Sequence, residues 1–149
     1  MPRSLAAKPS SSGDGVFTGE LMGFRLTAVS RGRVCFSGSP AFAVCNPLGT
    51  VHGGWYGTFL DSAMACAFMT TLPRGAGYTT LEFKVNITRG IGLGTMVEAV
   101  GTVQHAGTTT GVACGTIVGS ADQRIYATGS TTCIVLQPRA KTTEPQTNA

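Results

Sequence analysis

One segment of the chain, residues 46–71, constrains the possible folds more than any other. It begins as a glycine-rich loop and continues as an apolar stretch that favours a single helix ending before Pro73. Asp61 is the only charged residue between Ala41 and Pro73. Because an ionised carboxylate is costly to bury among apolar groups, Asp61 is either exposed at the surface or kept for a purpose.

The rest of the sequence predicts β-strands rather than further long helices. Residues 81–88 alternate between apolar and polar side chains, which is the period of a half-buried strand. We predict six strands, over residues 23–30, 32–39, 81–88, 95–105, 109–120 and 124–136, after a short helical turn within 16–22. Turn signals at 105–107 and 120–123 join the last three strands as hairpins, which implies an antiparallel sheet.

A helix that is apolar on nearly every side must be covered on most sides. The sequence therefore predicts an α+β fold in which a curved antiparallel sheet of about six strands wraps around one long central helix. Small residues at 54, 57 and 65 let strands approach the helix, and the 21 glycines, about twice the usual share of roughly 7%, permit the strands to bend. We expect one domain over residues 16–137, a disordered tail over 1–15 and a loose tail over 138–149.

The composition excludes several classes of partner. Charged residues make up 12% of the 149 residues, about half the usual share of roughly 25%, as expected of a chain with much buried surface in an oligomer. The net charge of +4 suits a small anionic ligand, but no cluster of basic and aromatic residues indicates nucleic acid. No apolar run is long enough to span a membrane.

The five cysteines do not form a recognisable metal or disulfide pattern. Their number is odd and no C-x-x-C spacing occurs, so the sequence predicts neither a zinc site nor a disulfide framework. We expect reduced thiols, as in a cytoplasmic protein, and no bound metal.

A motif at the start of the central segment resembles that of a known family. The pattern N-P-x-G-x-x-H-G-G begins at Asn46, and Asp61 follows its last glycine by seven positions. Together with the order of the strands and the helix, this pattern is similar to the hotdog-fold thioesterases, specifically the phenylacetate-degradation and 4-hydroxybenzoyl-CoA thioesterase group. The resemblance covers about residues 20–136. It implies a hotdog fold and hydrolysis of an aromatic or medium-chain acyl-CoA without a cofactor.

The resemblance also implies roles for individual residues. Asp61 matches the acid of the central helix, which acts as nucleophile or general base, and Gly53 matches the glycine whose backbone N–H polarises the thioester carbonyl. Asn46 matches an amide that orients the water or the carbonyl, and His52 a positioning histidine. Purely structural roles in the loop stay open for both. Ser62 fills one of the two places where the family often carries a hydroxyl near the acid, but alanine fills the other.

Helix geometry independently suggests a site shared between subunits. The first turn of a helix offers unpaired N–H groups and a positive dipole end, and glycines at 53 and 54 would let a carbonyl oxygen approach closely. Asp61 follows Gly53 by roughly 12 Å of helix rise, which is too far for both to act on one carbonyl. The sequence therefore predicts that Gly53 of one subunit works with Asp61 of another, in a homodimer that assembles into a homotetramer.

Coenzyme A carries phosphates, so we also expect basic or hydroxyl groups that bind them. Arg89 matches a strand-end arginine of the family, although Gly90 replaces the proline that usually follows it. The candidate substrate-binding residues are Gly54, Lys84, Arg89, Thr108 and Thr109, with Arg124 as a further basic candidate. For each of the charged residues, an ordinary role on a solvated face stays open.

Two other functions are compatible with the same fold. A hotdog-fold dehydratase or hydratase would need a histidine and an acid placed for proton abstraction, and the D-x-x-x-x-H hydratase pattern is absent. A non-catalytic module that binds acyl-CoA is the second alternative. The intact set of Asn46, Gly53 and Asp61 argues against it.

Overall fold

The computed structural model describes residues 17–138. The predicted tail over 1–15 and all but the first residue of the predicted tail over 138–149 lie outside the described residues. The helices are α1 (Thr18–Met22) and α2 (Gly53–Met69), with a 3-10 turn at Phe42–Val44 that the sequence did not predict, and the strands are β1 (Phe24–Ser30), β2 (Arg33–Gly38), β3 (Gly77–Ile87), β4 (Val97–Ala106), β5 (Thr110–Gly119) and β6 (Ile125–Leu136). Neither helix in this part of the chain is long and apolar enough to cross a bilayer.

The six strands form one antiparallel sheet in the order β1-β2-β4-β5-β6-β3. The short turns after β4 and β5 keep those strands beside their sequence neighbours, as the hairpin signals predicted. The chain leaves β2, passes through α2 and returns at the opposite edge as β3, which pairs with β6. The predicted α+β fold, with an antiparallel sheet around one long helix, is confirmed.

Helix α2 packs into the concave side of this sheet. Its side chains fill the core on most of its circumference, and the fully or almost fully buried ones are Trp55, Tyr56, Phe59, Leu60, Ala63, Met64, Ala67 and Phe68. The helix and sheet come so close that a Cβ atom on Gly101 of β4 would collide with the backbone of Ala63 and Met64. The absence of a side chain at Gly101 therefore allows the contact between α2 and β4.

Strand β3 contains an irregularity that changes which of its side chains face the helix. Its pairing with β6 shifts register between Thr80 and Glu82, so Leu81 has no direct partner. Phe83 faces α2 beyond the shift, whereas before the shift Thr80 is the residue that reaches the helix. The alternation in the sequence placed Leu81 on the same face as Phe83. The strand does not keep that alternation, because the register shift makes Thr80 and Phe83 the residues that reach the helix.

Candidate active site

The histidine that precedes α2 caps the N-terminus of the helix. His52 is the N-cap residue, and its Nδ1 accepts a hydrogen bond from the backbone N–H of Gly54 at 2.8 Å. Its own N–H donates to the Val44 carbonyl at 2.9 Å, which ties the cap to the preceding loop. Since Nδ1 must be unprotonated to accept this bond, the neutral ring carries its proton on Nε2. His52 is therefore the cap that joins the first turn of α2 to the preceding loop.

Gly53, the first residue of α2, presents a free backbone donor. Within residues 17–138, the Gly53 N–H makes no hydrogen bond. The residue is exposed, and its nearest side-chain neighbour is Ile87 at the end of β3, whose Cδ1 would lie 3.5 Å from a Cβ at this position. An unpaired N–H at the positive end of a helix dipole is suited to stabilise negative charge on an oxygen atom.

Asn46 holds the shape of the loop that leads to the helix. Its Oδ1 accepts hydrogen bonds from the backbone N–H groups of Leu48 at 3.0 Å and Thr50 at 3.2 Å, and its Nδ2 donates to the Thr50 hydroxyl at 2.8 Å. Gly49 closes this turn with a φ of 79°, which glycine adopts without strain. The side chain of Asn46 is thus largely engaged within its own loop, with one amide hydrogen left for another partner.

Asp61 lies in the middle of α2, at the edge of its uncovered side next to β3. Its carboxylate is half-buried, and Oδ1 accepts a hydrogen bond from the Thr80 hydroxyl at 3.1 Å. Burial raises the pKa of Asp61 above its usual range, and the hydrogen bond from Thr80 offsets part of that rise. A carboxylate with a raised pKa is a stronger base than an exposed one, which suits proton transfer or nucleophilic attack.

The reasoning from sequence missed Thr80. The sequence placed Ser62 at one of the two positions where the family often carries a hydroxyl near the acid, and in the structure the Ser62 hydroxyl donates to the Thr58 carbonyl at 2.8 Å within the same helix. Thr80 instead comes from β3, and it faces α2 because of the register shift at Leu81. The only signal in the sequence is a hydroxyl residue near the start of the alternating segment, and that signal does not specify the face.

Two thiols and a phenol lie near Asp61 and do not compete with it as nucleophiles. Burial raises the pKa of Cys66, and the negative charge of Asp61 raises it further. The pKa values of Cys133 and Tyr78 are raised in the same way, with burial as the larger cause. These groups therefore stay protonated at neutral pH. Within residues 17–138, no three His, Cys, Asp or Glu side chains lie close enough together to hold a metal ion.

The predicted substrate-binding residues lie in different parts of the chain. Arg89 follows β3 near the start of α2: its carbonyl accepts a hydrogen bond from Tyr56 at 3.4 Å, and its guanidinium carbon lies 6.0 Å from the centroid of the Tyr126 ring. Thr108 and Thr109 are exposed in the turn after β4. Lys84 is exposed and alternates with Phe83, so it lies on the sheet face opposite α2. Gly54 is the second residue of α2, and of the other predicted substrate-binding residues named here only Arg89 lies near the N-terminal end of α2 within one chain.

Two pockets flank the N-terminus of α2. One, of about 490 Å³, is bordered by Val51, Tyr56, Ile87 and the segment 90–93, next to Arg89. The other, of about 390 Å³, lies between α1 and α2 on the opposite side of the cap residue. A ligand bound at the N-terminus of α2, where the Gly53 N–H is free, could therefore extend into either pocket.

The chain matches the family model of the thioesterase superfamily over residues 48–126. A thioesterase family protein from Silicibacter pomeroyi has a similar structure, with a TM-score of 0.74 and 28% identity over 80% of this chain and 88% of that one. The PaaI protein of the phenylacetic acid degradation operon of E. coli has a TM-score of 0.73 at 20% identity, covering 80% of this chain and 84% of that one.

Zebra fish thioesterase superfamily member 2 has a TM-score of 0.72 at 22% identity, with 84% of this chain and 88% of that one covered. At such identities, the E. coli and zebra fish structures support the fold alone. None of the curated proteins compared matches the chain by sequence.

Proposed function

Because this chain belongs to the thioesterase superfamily and is a thioester hydrolase with the hotdog fold, we propose that its substrates are acyl-CoA thioesters. We further propose that Asp61 and Gly53 carry the reaction. The observation that supports this most directly is the half-buried Asp61 carboxylate, which holds a hydrogen bond from Thr80 on the uncovered side of α2. A buried charge of this kind is costly to maintain without a function.

In the proposed reaction, the thioester carbonyl oxygen accepts a hydrogen bond from the Gly53 N–H. As a water oxygen attacks the carbonyl carbon, negative charge grows on that oxygen, and one such donor is worth about 2.7–4 kcal/mol in other enzymes. Asp61 removes a proton from the attacking water as general base. The carbon–sulfur bond then breaks, the acid is released, and the coenzyme A thiolate takes up a proton.

Asp61 as a nucleophile gives the same products in two steps. A carboxylate oxygen attacks the carbonyl carbon, the thiolate leaves, and a mixed anhydride links the acyl group to Asp61. Water then hydrolyses the anhydride and restores the carboxylate. Thr80 fits either route, because it orients the carboxylate, and we propose it as a positioning residue alongside Asn46 and His52.

We propose that each site combines two subunits. Gly53 and Asp61 are eight residues apart on a regular helix, a rise of roughly 12 Å, so one thioester cannot reach both within one chain. Strand β3 is an open edge of the sheet and exposes Leu81, Phe83 and Ile87. An apolar open edge is a template for pairing with a second copy, which would form the homodimer, and two dimers would form a homotetramer.

Basic side chains near the pocket beside Ile87 would bind the phosphates of coenzyme A. Arg89 is the strongest of these candidates, because its backbone is fixed beside the start of α2 by the hydrogen bond from Tyr56. Arg124 lies 3.9 Å from Asp122 and supplies a second guanidinium in the same region as Tyr126. The hydroxyls of Thr108 and Thr109 and the amine of Lys84 would contribute from the partner subunit or the rim. The five free cysteines favour the reducing cytoplasm as the location.

The test is a thiol-trapping assay over a panel of acyl-CoAs with the wild type and Asp61→Asn. We expect the wild type to release coenzyme A, and kcat to fall at least about a hundredfold in Asp61→Asn, the low end of general-base contributions. Because burial raises the Asp61 pKa, folding favours the protonated form, and the ionised carboxylate costs stability as pH rises through its folded pKa. Asp61→Asn removes that cost, so its melting temperature should equal or exceed that of the wild type at neutral pH.

Ser62→Ala is the matched control, because Ser62 is the next residue on the same half-exposed side of α2 and its hydroxyl bonds within the helix. Near-wild-type turnover by Asp61→Asn would show that the carboxylate is structural. Tight binding of acyl-CoA with no release of coenzyme A would favour the non-catalytic module. Addition or loss of water across a carbon–carbon double bond of an enoyl-CoA or 3-hydroxyacyl-CoA would favour the hydratase alternative.

A further inference from the structure

We propose that Tyr56 is a positioning residue for the binding of coenzyme A. Its hydroxyl joins the first turn of α2, which carries the free Gly53 N–H, to the segment 88–93, which carries Arg89. The two groups thereby keep a fixed spacing and act on opposite ends of one substrate. This inference rests on the proposed acyl-CoA thioesterase function and specifies how that site recognises the coenzyme half of the thioester.

The Tyr56 hydroxyl makes two hydrogen bonds to this segment. It accepts the backbone N–H of Ile91 at 2.9 Å, a buried bond, and donates to the Arg89 carbonyl at 3.4 Å. A phenol hydroxyl both donates and accepts, so the two bonds use it in both ways at once. Because the side chain is only 2% exposed, little water competes with these bonds. The hydroxyl therefore connects the helix to the segment within the core.

The segment itself has little side-chain packing beside Arg89. Apart from its chain neighbours, no atom of residues 17–138 would lie within 4 Å of a Cβ at Gly90. Ile91 is 5% exposed and packs in the core, and the Arg89 N–H donates to the Tyr126 carbonyl of β6 at 3.1 Å. The position of Arg89 therefore depends on hydrogen bonds from two elements, with Tyr56 as the connection to α2.

The pocket of about 490 Å³ lies where this segment meets the end of the helix. Tyr56, Ile87 and the segment 90–93 border it, and Ile87 is also the side chain nearest to Gly53. Arg89 directly precedes this lining, and its side chain is exposed. Coenzyme A carries its thioester and its phosphates at opposite ends of the pantetheine arm. A shift of the segment relative to α2 would therefore spoil the fit at the phosphate end and leave the carbonyl end unchanged.

The experiment compares Tyr56→Phe with the wild type on two substrates. One is the acyl-CoA that the wild type hydrolyses best, and the other is the pantetheine thioester of the same acid, which lacks the phosphates. The variant keeps the ring but leaves the Ile91 N–H buried without its acceptor, so the segment loses its connection to α2. We expect KM for the acyl-CoA to rise about tenfold, the low end for a hydrogen bond to a charged group. KM for the pantetheine thioester, and kcat for both substrates, should stay within about twofold of the wild type.

Tyr78→Phe is the matched control, because it removes a phenol hydroxyl near the opposite end of β3, where the ring packs on Phe68. The ratio of the two KM values should stay within about twofold of the wild type in that variant. In an Arg89→Ala background, Tyr56→Phe should add less than about twofold to KM for the acyl-CoA, since the two residues act on the same phosphates. An unchanged KM in Tyr56→Phe, an equal rise for both substrates, a loss confined to kcat, or a full further rise in the Arg89→Ala background would overturn the inference and leave the thioesterase function intact.

A binding measurement keeps the two proposals separate. If the wild type hydrolyses no thioester, the proposed function fails, and calorimetry with free coenzyme A still tests the role of Tyr56. Binding that is about tenfold weaker in Tyr56→Phe than in the wild type supports the inference without catalysis. Equal affinity in the two proteins, or no binding of coenzyme A by the wild type, overturns it.

Discussion

The two sides of helix α2 differ in composition and in the role that we assign to each. The side that faces the sheet is formed by large apolar residues such as Phe59, Leu60 and Met64, each of them fully buried. The uncovered side carries Thr58, Asp61 and Ser62, each partly exposed. One side of the helix therefore packs in the hydrophobic core, and the other side carries residues of the candidate site.

This difference explains why the helix lacks an ordinary amphipathic pattern. A surface helix separates apolar from charged residues, whereas the uncovered side of α2 has a single charge among small residues. Small side chains leave room for a substrate or a second subunit beside Asp61, and the buried side supplies the stability that lets one carboxylate stay half-buried. Substitutions on the two sides should consequently separate stability from activity.

The largest expected effect is on the buried side. Phe59→Ala removes a ring that lies 4.9 Å from the Phe24 ring and 5.0 Å from the Trp55 ring, measured between centroids. We expect the free energy of unfolding to fall by about 3–5 kcal/mol, as measured by chemical denaturation. Thr58→Ala, one residue away on the uncovered side, should change it by less than about 1 kcal/mol. Similar losses in both variants would contradict the division of the helix into two sides.

The next largest effect is on the activity of mixed dimers, in which two variants each damage a different part of the proposed shared site. Asn46→Ala damages the loop end of the site and Asp61→Ala removes the acid, so each homodimer should lose most of its activity. If each site takes Gly53 from one chain and Asp61 from the other, a mixed dimer has one doubly damaged site and one intact site. Refolding the two proteins together at equal concentrations should restore roughly a quarter of wild-type activity, since half of randomly paired dimers are mixed.

Differential tagging and light scattering check that mixed dimers or tetramers have formed. If each site lay within one chain, every site in the mixture would keep a lesion and no activity would return. A mass of one subunit at micromolar concentration would likewise contradict the shared site, because the monomer cannot bring Gly53 and Asp61 to one carbonyl.

Much of this organisation could be predicted from the sequence because its signals are local. The apolar segment predicted α2, and the period-two alternation and turn signals predicted the strands and their antiparallel pairing. The candidate residues Asn46, His52, Gly53 and Asp61 fall within one motif of 16 residues, so their identification needed no tertiary structure. Local sequence patterns report on residues that are neighbours within a helical turn or a hairpin. The helix, the strands and the motif all depend on such neighbours.

The contact between Asp61 and Thr80 could not be predicted in this way. It joins residues 19 positions apart on different elements. It also depends on one extra residue in β3, which turns Thr80 toward α2 and Leu81 toward the surface. Strict alternation would have turned Thr79 inward instead. A bulge is set by pairing with β6 and by packing on the helix, and neither is visible in a single strand.

The smallest expected effect tests that contact. Thr80→Val keeps the shape of the side chain and removes the hydroxyl that donates to Asp61. Because that hydrogen bond lowers the Asp61 pKa against the effect of burial, its loss should raise the pKa further. If Asp61 acts in its ionised form, the acid limb of the kcat profile should move to higher pH. Above that limb, kcat should fall about tenfold, the value of one hydrogen bond to a charged group. Thr79→Val makes the same change on the opposite face of β3, and it should leave the pH profile of kcat unchanged. If the profile of Thr80→Val does not shift either, the Thr80 hydroxyl does not control the ionisation of Asp61.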